Sequence, residues 1–184
     1  IEELNHEKLF PKPLRITNME APLTEEQVKF HFALIDTHTS DIVSDDKDAK
    51  KRFLRGLDFY LVQDFASSID DFTQSILLDD KFFPAYFMRS LVRYKQLEYK
   101  KAEAGLTEGV PGASVDSKNQ AEALVDYDKA IELNKDFAEA YFNRGLTHIF
   151  LGNNKQGITD LSKAGELGIV SAYNIIKRFT NTRE

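Results

Sequence analysis

Cysteine is absent from the 184 residues, which excludes a disulfide scaffold, a thiolate zinc site and a cysteine nucleophile, and leaves the chain indifferent to redox compartment. No apolar run approaches the ~20 residues that a membrane span requires. The opening stretch IEELNHEKLF lacks the pattern of a signal peptide. A basic stripe is missing too: net charge is -6, and the longest cationic groups are Lys50, Lys51, Arg52 and Lys177, Arg178, so no nucleic-acid partner is expected. The chain starts at Ile1 rather than Met, as expected of a fragment or processed form, and its compartment, cytoplasmic or bacterial periplasmic, stays open.

Catalytic constellations are missing as well. Of His6, His31, His38 and His148, only His6 opens anything like a zinc-protease motif, and HEKLF puts Phe10 where the second histidine belongs. No glycine-rich phosphate loop or nucleophile elbow occurs. The acid pairs Asp70, Asp71 and Asp79, Asp80 are consecutive and diverge on a helix. SDIVSDDKDAK is acidic but lacks the glycine and glutamate of an EF-hand loop, so it reads as a solvated helix start. The expectation is no enzyme activity, no cofactor and no metal.

What is present is helical periodicity. In Ala138 to Leu167, large apolar residues at Tyr141, Phe142, Leu146, Ile149, Phe150, Ile158 and Leu161 fall on two helical patterns, with Gly152 and Asn153 as the breaker between them. With Ala138 as position 1, the frame recurs from Phe83 and from Ala49. Position 8 holds Gly56, Ser90 and Gly145; position 20 holds Ser68, Ala123 and Gly157; position 27 holds Ser75, Ala130 and Ala164. All are small. Helices that approach to the near end of the usual ~8 to 10 Å need side chains trimmed where they cross. The middle copy registers only if a block is removed. Phe83 to Phe137 is 55 residues, and the surplus contains GLTEGVPGASVDSKN, where Gly105, Gly109, Pro111 and Gly112 forbid continuous helix. Its first helix is expected to overrun to about Ala104, and Ser117 with Gln120 forms a capping box that restarts the second.

These spacings resemble the tetratricopeptide repeat, a ~34-residue helix-turn-helix unit. The resemblance implies an all-α fold, a right-handed α-α superhelix (a TPR solenoid) with capping helices at both ends. It also implies that the chain is the C-terminal part of a longer bacterial protein. The expected organisation is an extended segment over 1–23, held from helix by Pro11, Pro13 and Pro22, then an N-terminal helix and linker over 24–48 begun by the capping box of TEEQ. Repeats follow over 49–82, 83–137 with an insertion at about 98–118, and 138–170. Gly165 and Gly168 are expected to stop the last repeat before a C-terminal capping helix and tail over 171–184.

Each copy also places an arginine two residues after an aromatic (Arg55, Arg89, Arg144) and an aspartate at position 23 (Asp71, Asp126, Asp160). An arginine ladder suits an anionic ligand, but a matched acid at a fixed place occupies the guanidinium fork, so structural ion pairs are the preferred reading. In the family this resembles, first helices line a concave groove. Carried over by position, the groove shows Phe53, Leu57, Tyr60, Phe87, Leu91, Tyr94, Lys95, Phe142, Leu146 and Ile149. The residues that grip a peptide carboxylate in one subclass are replaced here by Phe53 and Leu57. The implied function is therefore a non-catalytic module that binds a protein partner, as peptide or helix, in an apolar and aromatic groove. The alternative is an architectural or self-associating segment of a longer solenoid, including a homodimer. A third possibility is that residues 1–22 or the insertion fill the groove.

Overall fold

Wherever the apolar residues recur at helical spacing, the chain is helix, and no strand occurs among the described residues. The structure, a computed structural model, describes residues 23–103 and 117–181. The expected extended segment and most of the insertion lie outside these residues, and the Ser117 capping box rests on side chains outside them. The helices run α1(Glu25–Ser44), α2(Ala49–Leu61), α3(Phe65–Leu78), α4(Phe83–Glu103), α5(Ser117–Leu133), α6(Ala138–Phe150), α7(Asn154–Glu166) and α8(Ser171–Asn181).

Local chemistry sets these limits. Thr24 Oγ1 accepts from Gln27 N at 3.2 Å while Thr24 N donates to Gln27 Oε1 at 2.9 Å, the reciprocal bonds that start α1. Asp48 and Asp64 cap α2 and α3, accepting from Lys50 N at 2.9 Å and Ser67 N at 3.1 Å. The turn after α6 needs a left-handed residue, supplied by Gly152 at φ 88°. At the matching place after α2 stands Gln63 at φ 65°, a strained choice for a side-chain-bearing residue. Gly168, at φ 112°, ends α7, but Gly165 does not: it lies inside the helix, where an added Cβ would come within 2.5 Å of the Tyr173 ring of α8. Close approach, rather than helix breaking, is the reason for glycine there.

Three helix pairs follow, each with a leading helix (α2, α4, α6) and a returning one (α3, α5, α7). The small positions are where they cross. A Cβ on Gly56 would sit 2.7 Å from a Phe72 ring carbon, and one on Gly157 would sit 2.7 Å from the Gly145 carbonyl oxygen. Two of the serines also bond across the crossing, Ser68 Oγ donating to the Gly56 carbonyl and Ser75 Oγ to that of Ala49, both at 2.8 Å. One apolar core runs from Phe53 through Phe87 and Tyr127 to Ala140, and a second joins Phe142, Leu161 and Ala164 to Ile169 and Ala172.

The links between pairs are alike. Asp45, Asp79 and Asn134 each accept a bond from the backbone two residues on, at Lys47, Lys81 and Asp136 (3.3, 3.0 and 3.3 Å). By that register α1 stands to α2 as α3 stands to α4 and α5 to α6. It is a returning helix with no leading partner among the described residues. At the other end α8 takes the place of a further leading helix, with Ala172 buried against the second core. The architecture is an all-α solenoid of three helix pairs flanked by α1 and α8.

Candidate functional site

The residues assigned to a groove lie on the leading helices α2, α4 and α6. Most of them do not face solvent. Phe53, Leu57, Tyr60, Phe87, Leu91, Tyr94 and Phe142 are buried, and the phenylalanines are 0%, 0% and 1% exposed. These side chains lie within the core packing between the helices. The rings are spent on core packing: Phe53 meets Phe72 and Phe82 at 5.5 and 5.3 Å between centroids, and Phe87 meets Phe137 at 4.8 Å and Tyr127 at 5.9 Å. Lys95, Leu146 and Ile149 remain half-buried, as do Leu61 and Phe150. Tyr94 stacks edge-on against Phe150 at 5.2 Å, joining α4 to α6.

The arginines and aspartates are brought together in all three pairs. Arg55 donates through Nε and Nη2 to Asp71 at 2.8 and 2.7 Å. Arg89 does the same to Asp126 at 2.6 and 2.8 Å, and Arg144 to Asp160 at 2.7 Å twice. Each carboxylate is nearly buried, so the forks are occupied and no cationic ladder faces outward. The hydrogen bonds to Asp71 hold the Arg55 guanidinium above its ordinary pKa. Burial alone would lower Arg144, but its bonds to Asp160 and Asp128 outweigh this and raise it too. Each guanidinium also lies over an aromatic ring, of Phe59, Tyr86 or Tyr141.

A third partner escaped the sequence reading. Nη1 of each arginine reaches back to the preceding returning helix, to Thr39 at 3.2 Å, Thr73 at 3.1 Å and Asp128 at 2.9 Å. Each partner lies 16 residues before its arginine. That constant spacing was the available signal. The middle pair adds Arg93, whose Nη1 donates to Asp126 at 2.6 Å.

A second cluster also went unread. Asp58, buried in α2, faces two histidines of α1: Oδ1 is hydrogen-bonded with His31 Nδ1 at 2.8 Å, and Oδ2 makes an ion-pair contact with His38 Nε2 at 3.2 Å. His148 on α6 is half-buried, its Nδ1 without a hydrogen-bond partner, and burial pushes its pKa below the ordinary value against the pull of Asp160. Among the described residues no group of histidines and acids is arranged to hold a metal ion, and no helix is long and apolar enough to cross a membrane.

Comparison with known proteins agrees with this geometry. Family models described as TPR repeat and tetratricopeptide repeat match residues 113–152 and 138–167. The first helix pair lies outside both matches. Among solved structures, the chain is similar to a MamA protein (18% identity over 77% of this chain and 66% of that one, TM-score 0.60). It is also similar to TTC0263, a thermophilic TPR protein of Thermus thermophilus (12% identity, 78% and 69% covered, TM-score 0.61). The chain thus spans about two thirds of the length of these structures. At such identity the likeness is one of fold. No curated protein matches the sequence.

Proposed function

We propose, from the premise that this chain is a tetratricopeptide-repeat protein, that it is a non-catalytic interaction module holding a peptide or helix of another protein along the wall of α2, α4 and α6. A stacked array of this kind is a protein-interaction scaffold, and its extended inner surface is where partners lie. The observation that carries the reading is the continuity of the wall: one apolar core runs beneath α2, α4 and α6, and the Tyr94 and Phe150 rings bridge its last two helices. Because the deepest rings are consumed by that core, contact with a partner falls to the half-buried residues around them, Leu61, Leu146, Ile149 and Phe150.

The test is a double substitution, Leu61→Gln with Leu146→Gln, in the full chain. Partners cross-linked in the source cell are expected to be lost while helix content is retained, with Tm lowered by several degrees because both leucines also pack against the cores. Retention of the same partners by this variant overturns the wall as the site. Alanine at Phe53, Phe87 and Phe142 would not discriminate, since emptying the core unfolds the array.

The second reading is an architectural segment of a longer solenoid, and the register of α8 favours it. Ala172 and Arg178 stand where a further leading helix would repeat Ala138 and Arg144. Self-association at micromolar concentration in sedimentation, unaffected by the Leu61 and Leu146 substitutions, would support it.

A further inference from the structure

Asp58 is a carboxylate withdrawn from water, 6% exposed, and among the described residues its side-chain partners come from α1: a hydrogen bond with His31 and an ion-pair contact with His38. Stacking does not ask for an acid here. Three residues after the arginine of each leading helix stand Asp58, Val92 and Thr147, and the latter two are fully buried without charge. An aspartate in this place costs desolvation that valine does not, and the cost is offset only while His31 and His38 are in position. When α1 departs, Asp58 returns to water and needs neither.

The apolar share of the α1 contact is small. Ile35 and Ile42 are its only buried residues, while Phe30 and Phe32 are 60% and 52% exposed. Polar contacts complete it: Thr39 with Arg55, and Lys51 Nζ with the Asp41 carbonyl at 3.3 Å and the Asp45 carboxylate at 3.8 Å. Asp41 also lies 3.9 Å from His38 Nδ1. Among the described residues α1 packs chiefly on α2, and a helix held through few buried apolar residues belongs to the low end of local stability.

We propose that His31, Asp58 and His38 form a latch, and that α1 is a cap which opens by itself, ahead of the array. Opening uncovers the face of α2 that matches, by register, the faces of α4 and α6 on which α3 and α5 lie. That face is shaped to receive a helix, and in the closed state α1 is its occupant.

Hydrogen exchange of the full chain under native conditions tests this. Amides of α1 are expected to exchange at least about 100-fold faster than those of α4 and α6. The double variant His31→Ala, His38→Ala strands the carboxylate, and should speed exchange in α1 a further ~10- to 100-fold while leaving α4 to α7 unchanged. Adding Asp58→Val to that variant removes the stranded charge and should restore most of the protection. If α1 of the wild type exchanges in step with α2, or the double variant speeds all helices alike, or Asp58→Val gives no rescue, the latch is overturned.

Discussion

The junction of α1 with α2 and the junction of α3 with α4 share a register and a linker, yet they are made of different chemistry. At the first, Asp58 meets His31 and His38; at the second, the same places hold Val92 with Phe65 and Phe72, one period further on. Thr39 and Thr73 do identical work in both, each accepting from the arginine of the next helix. The backbone arrangement is therefore fixed by the linker, the crossing and the arginine, and not by the residues that fill the contact. Filling is free to vary, and at the α1–α2 junction it includes a buried acid and two histidines.

The strongest way to break this comparison is to move the acid inward. Val92→Asp places a carboxylate where no imidazole faces it, in a side chain that is fully buried in the wild type. An uncompensated buried charge costs about 3 to 5 kcal/mol, so the variant is expected to melt about 6 to 20 °C lower. A melt within a few degrees of wild type would mean that the inner junction tolerates charge as the outer one does.

A smaller effect separates the ion pairs. Asp126 accepts from both Arg89 and Arg93, whereas Asp71 accepts from Arg55 alone among the arginines. Replacing either aspartate strands buried guanidinium groups, about 3 kcal/mol for one pair. Asp126→Ala is expected to lower stability more than Asp71→Ala in urea unfolding, because it strands two cations and lies between two helix pairs. Equal losses would show that Arg93 contributes nothing beyond the pair, being satisfied by Glu122 at 3.7 Å.

Much of the fold was legible because close packing writes itself into a sequence as missing side chains. Gly56, Gly145, Ser68 and Ala164 announce crossings, and the Thr24 and Gln27 pair announces a helix start. The wall was less legible for a physical reason. Periodicity reports that Phe53, Phe87 and Phe142 lie on the inner side of a leading helix, but not whether a neighbouring ring such as Phe82 or Phe137 already covers them. The outermost junction was illegible for another reason. His31, His38 and Asp58 are each ordinary surface residues in sequence, and only the register set by Thr39 and Arg55 puts them against one another. Gly165 was misread because a glycine near a helix end signals a stop as readily as a contact.

The mildest perturbation concerns the third junction, where filling is intermediate. Thr147 donates to the Asn143 carbonyl at 2.8 Å, and burial lowers the pKa of His148 beside it. A histidine whose folded pKa lies below its unfolded value binds fewer protons folded than unfolded, so its contribution to stability is complete above the unfolded value, near ~6.5, and is lost as pH falls through it. Carboxylates titrate in the same acid range and mask the effect in the wild type alone. The difference between wild type and His148→Phe isolates it: the Tm gap should move in favour of the variant between pH 7.5 and pH 5. A gap that stays constant, or moves the other way, would mean that the imidazole gains its proton without penalty, and that the third junction is as polar in character as the first.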